Sequence, residues 1–197
     1  MSALSAPATA LLEHARGAQH AADLYLRPEG ARATAEQIAE LLHGVPAAHL
    51  DERTAWNLFF SAGELSLRVD VYQAHALFRA AAALVGRLSA LAPPPGDPRA
   101  VAAEMAFDFF FARDAHPLLP LKRAPVLATL GELLEGGRVG ARAALHGLGH
   151  LVALARGAGL GALGEEAGAL VERFGAREGL DPSLRALAAD ALAGTLP

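Results

Sequence analysis

The fifteen residues 141–155 constrain the fold of this chain more than any other segment. Alanine, leucine, valine and glycine fill nearly all of them, and His146 and His150 stand one helical turn apart. A helix with so little polar surface must be covered on most sides, and its small residues let neighbours come close. Such a helix packs between other helices.

The rest of the chain agrees. Roughly a quarter of its 197 residues are alanine, the best helix former, while Val and Ile are scarce. No segment alternates apolar and polar residues at the period of a strand. The spacing predicts helices over 8–25, from a Thr34 capping box to 43, from an Asp51 cap to near Gly63, and over 67–91. Further helices are expected over 99–113, from 122 or 125 to 135, and over 138–156 and 160–176. The last opens at Asp181-Pro182 and ends at Gly194. Asp97-Pro98 is the same device, an N-cap followed by proline at the first helical position. The proline-rich run 92–98 cannot be helical. It connects an N-terminal helical half (8–91) to a C-terminal one (99–194) within one all-α domain.

From about residue 99 to 194, irregular helix pairs meet at Pro/Gly turns, with small residues in the inner helix and Arg or Asp near helix ends. This pattern resembles divergent HEAT-type repeats. The resemblance implies antiparallel helical hairpins stacked as a short α-solenoid; a compact multi-helix bundle is the alternative arrangement.

Several function classes are excluded or disfavoured. The chain has no cysteine, so thiolate nucleophiles and thiolate metal sites are ruled out. The net charge of −4, without a basic cluster, argues against nucleic acid as a partner. The N-terminal residues lack a basic region before an apolar one, and no apolar run is long enough to span a bilayer. A cytoplasmic protein with no membrane partner is therefore expected. The glycine run 157–161 follows no strand and precedes no Gly-Lys-Ser/Thr, so it reads as a turn between helices.

Two sets of residues are candidates for function. Trp56, Phe59, Phe60 and Tyr72 concentrate large aromatics in the first half, and they are either core or an anchoring patch for a partner protein. His146 and His150 have a spacing that suits two nitrogen ligands on one metal, although Gly147 stands where a metalloprotease would carry its general base. Glu104 and Asp108 share the same spacing on the phenylalanine-rich helix. If the two helices meet, the four side chains form a carboxylate–histidine site for a divalent metal. The alternative is an Asp–Arg or Asp–His pair that fixes helix register. Asp114 and His116, in a loop, are compatible with acid–base work, but the motif is too short to specify it. The expectation is a non-catalytic scaffold that binds another protein through a helical surface or groove and needs no cofactor. A metal-binding protein or metal-dependent enzyme is the alternative.

Overall fold

A computed structural model describes residues 4–111, 116–158 and 160–196. Its ordered elements are α1 (Ala6–Gly17), α2 (Ala22–Tyr25), α3 (Ala31–Gly44), a 3-10 turn (Ala47–His49), α4 (Glu52–Ser66) and α5 (Val71–Ala90). After the proline run come α6 (Pro98–Glu104), α7 (Asp108–Phe111), α8 (Leu118–Leu134), α9 (Arg138–Ala158), α10 (Gly161–Gly175) and α11 (Pro182–Ala193). No strand occurs among the described residues, and the chain is all-α.

Helix starts follow from side-chain caps. Asp51 accepts the amide of Thr54 at 2.8 Å, and Asp97 accepts that of Arg99 at 2.9 Å. Asp181 accepts the amide of Ser183 at 2.8 Å, so both Asp-Pro restarts act as read from the sequence. Thr34 does not cap α3. That helix starts one turn earlier, at Gly30 with φ +87°, and the Thr34 hydroxyl donates to the Gly30 carbonyl at 2.9 Å inside the helix. Gly63 does not end α4, which runs on to Ser66, and Asp70 caps α5 by accepting the amides of Tyr72 and Gln73.

Two expected helices are broken. The stretch 8–25 divides at Ala18, where the backbone turns extended. Asn57, buried on α4, donates from Nδ2 to the carbonyls of Ala15 and Ala18, giving the end of α1 partners it would otherwise lack. The stretch 99–113 divides at 105–107, so Glu104 and Asp108 sit on different helices; residues 112–115 lie outside those described. Conversely, α8 begins four residues earlier than Lys122. It kinks there (φ −127°, ψ 26°), because Pro125 has no N–H to donate back along the helix.

Helices α3, α5, α8 and α10 follow one another as neighbours. On the other side α4 packs on α6 and α7, these on α9, and α9 on α11. Cross-contacts α3–α4, α4–α5, α8–α9 and α9–α10 tie the two sets together. Helix α5 touches both α8 and α9, so contacts pass across the 92–98 connection, and buried residues from both halves form one continuous cluster. At the α8–α9 turn, where Gly137 has φ +89°, Ser89 of α5 donates to the Gly136 carbonyl and accepts the Gly140 amide.

Candidate functional site

Helix α9 is the centre of the arrangement, in contact with α5, α6, α7, α8, α10 and α11. Arg142, His146 and His150 recur every four residues along one stripe of it. Facing them are Glu104 at the end of α6 and Asp108 at the start of α7. The approach is close because Gly147 has no side chain: a Cβ there would lie 3.0 Å from Cβ of Phe107. Gly149 plays the same part on the α11 side, where a Cβ would lie 3.1 Å from Cα of Ala191.

The structure brings Asp108 to both histidines. Its Oδ1 lies 3.0 Å from Nε2 of His150, a hydrogen bond, and 3.6 Å from Nδ1 of His146, too far for one. His146 is buried and its Nδ1 has no hydrogen-bond partner, while His150 lies at a partly open edge. Burial pushes the Asp108 carboxyl up, but the two imidazoles outweigh it and hold the group below its ordinary value. Glu104 does not join them. The break at 105–107 turns it toward Arg142, which it meets at 2.7 Å with both side chains largely shielded from solvent. Among the described residues no group of three His, Asp or Glu side chains is arranged to hold a metal ion. The geometry is two adjacent ion or hydrogen-bond pairs, Glu104–Arg142 and Asp108–His150, with His146 beside the second.

The aromatic candidates separate. Phe59 is fully buried and belongs to the core, so it is not available to a partner. Trp56 and Phe60 are half-buried and join two residues the sequence did not single out, Tyr25 and Phe109, in a run of ring contacts. Tyr25 meets Phe60 at 6.1 Å, Phe60 meets Phe109 at 5.0 Å, and Phe109 meets Trp56 at 5.8 Å. The last two are edge-to-face, as aromatic quadrupoles prefer. Arg68 covers the Tyr25 ring, 5.1 Å from its centroid. Beside Trp56 opens a cavity of about 490 Å³ lined also by Asp51, Glu52, Arg53 and Asn57. Tyr72 stands apart: it is 72% exposed, and its ring carries Lys122 at 4.4 Å.

His116 is a structural residue that local reading undervalued. It is buried; its Nδ1 accepts the Leu118 amide at 2.9 Å, and Nε2 lies 2.9 Å from Oγ of Ser66, which donates to the Gly63 carbonyl. His116-Pro117 thus repeats the Asp-Pro restart with an imidazole nitrogen in place of a carboxylate, and that parallel is visible in the sequence. Asp114 lies outside the described residues. Burial holds the His116 imidazole below its ordinary value of 6.5. The unfolded chain therefore binds the proton more readily. The stabilisation is complete above pH 6.5 and lost as pH falls from there toward the folded-state value. Protection of the Leu118 amide, taken relative to its intrinsic exchange rate at each pH, should fall on acidification from neutral pH to 5.5. His116→Asn, which can accept without titrating, should flatten that dependence.

Comparison with known families, curated proteins and solved structures returned no match for this chain.

Proposed function

We propose that this chain is a non-catalytic interaction module in which helical hairpins stack in a short HEAT-like array and a partner protein docks on the Tyr25–Phe60–Phe109–Trp56 strip. The succession α3, α5, α8, α10 against α4, α6/α7, α9, α11 supports the stacked reading. One observation carries the docking surface: four large rings in a row of mutual contacts are left half-buried in a chain that otherwise buries its phenylalanines. Partly exposed aromatic anchors ringed by polar groups are the usual energetic centre of an interface. The partner this face fits is a segment with an apolar side chain for the open parts of the Trp56, Phe109 and Phe60 rings and a basic group for Glu52 at the polar opening beside Trp56.

A photo-crosslinking residue at exposed position 53 tests the reading in the living cell. One partner should be captured there and not from exposed position 173, and Trp56→Ala should abolish the capture at an unchanged helix signal. Equal capture from both positions, or capture indifferent to Trp56→Ala, would refute it. Trp56 is the sole tryptophan, so a captured partner, once purified, should also shift the protein's fluorescence.

A further inference from the structure

A second opening, between α3, α5 and α8, has a different character. It encloses about 490 Å³ and is lined by His43 of α3, by His75, Arg79, Ala82, Ala83 and Gly86 of α5, and by α8 residues including Pro125, Thr129, Glu132 and Leu133. Helices α5 and α8 run in the same direction. His75 feels the charge of Lys122 near their starts, and Gly86 faces Leu133 near their ends. His75 and Arg79 therefore line one end of the groove, and Lys122, over the Tyr72 ring, stands beside that end. Glu132, the one carboxylate among the residues lining it, lies at the other.

The cationic end is uncompensated. Arg79 makes no hydrogen bond or ion pair among the described residues, and its charge reaches both imidazoles. Nε2 of His75 is buried with no hydrogen-bond partner, a costly state for a polar atom. The ammonium of Lys122 rests on the Tyr72 ring and pairs with no carboxylate among the described residues. Arg87, next to Gly86 at the other end of the groove, adds positive charge near His43 while donating to the Leu42 carbonyl. Burial, then Lys122 and Arg79, holds the His75 imidazole below its ordinary value. Burial, then Arg87 and Arg79, does the same to the more exposed His43. Both acids of α3 are engaged elsewhere, Glu36 with Arg32 and Gln73 and Glu40 with Ser5.

We propose that this groove binds a small organic phosphate, its phosphate group among His75, Arg79 and Lys122 and its apolar body along Ala82, Ala83 and Gly86. An imidazole, a guanidinium and an ammonium arriving from two helices suit a doubly charged anion with oxygens in three dimensions. A planar carboxylate would be satisfied by the guanidinium alone. Glu132 at the far end disfavours a second anionic group there.

The probes are phenyl phosphate, inorganic phosphate and benzoate, titrated into the full chain at neutral pH while the imidazole resonances of His43 and His75 are followed. Phenyl phosphate should shift both rings saturably and bind several-fold more tightly than inorganic phosphate, because only it covers the apolar floor. Arg79→Gln should weaken it roughly tenfold. Arg123→Gln, which removes an equal charge from α8 where Arg123 pairs with Glu166 at 3.2 Å, should leave it unchanged. The proposal fails if neither phosphate gives a saturable shift, if both variants weaken binding equally, or if benzoate binds as tightly as phenyl phosphate.

Discussion

Gly63→Ala is expected to destabilise the protein by about 2 kcal/mol or more, although alanine is the better helix former by about 1 kcal/mol. Gly63 lies within α4, where propensity alone favours the substitution. Against it stands the contact with α7: a Cβ at this position would lie 2.5 Å from Cβ of Phe109, 2.6 Å from its carbonyl oxygen and 2.7 Å from its carbonyl carbon. Two of those atoms are backbone and cannot rotate away, so one helix must shift. The shift would disturb the Gly63 carbonyl that accepts from Ser66, and through Ser66 the imidazole of His116. It would also move Phe109, the ring between Phe60 and Trp56. Gly157→Ala provides the contrast. Nothing lies within 4 Å of a Cβ there, and the same substitution should be neutral or stabilise by up to about 1 kcal/mol. Urea midpoints of the two variants, read against the native chain, test the difference in sign.

These contrasts show what a sequence of this kind discloses. The Asp51, Asp97 and Asp181 caps were legible because a cap is a local event, made two or three residues along the chain. The helix of 141–155 was legible because its composition leaves no other way to bury it. Gly63 was misread as a stop since a glycine that admits a neighbour and one that ends a helix look alike without the neighbour. Thr34 was misread for a related reason: the positive φ of Gly30 starts α3 earlier, and a hydroxyl can serve the helix interior as well as its end. The meeting of Asp108 with His146 and His150 was expected if the helices packed, yet Glu104 was grouped with them on a spacing that the break at 105–107 removes. The groove at His43, His75 and Arg79 left no local trace, because α3, α5 and α8 bring its residues together from distant parts of the chain.

His146→Leu combined with His150→Leu is expected to cost about 3–5 kcal/mol near neutral pH, and the reason fixes a second, opposite effect. Asp108 is only 8% exposed, and the imidazoles are what offset its desolvation. With them gone, a buried carboxylate is left without donors, and burial alone then raises its pKa above the ordinary 3.8. In the native protein the folded-state value lies below 3.8, so the contribution of Asp108 is present above that pH and lost as pH falls through the folded-state value. In the double variant the folded-state value exceeds the unfolded one. The group then favours folding at acid pH and opposes it as pH rises through the raised value. Urea midpoints of the variant relative to the native chain should therefore recover toward pH 4, against the trend expected for a simple loss of packing. Adding Asp108→Leu to the double variant should restore most of the stability at neutral pH, since replacing all members of a buried polar cluster by apolar residues is far less costly than stranding one of them. If the double variant loses stability equally at pH 7 and pH 4, or the triple variant fares no better, these side chains act by packing volume alone and not by charge.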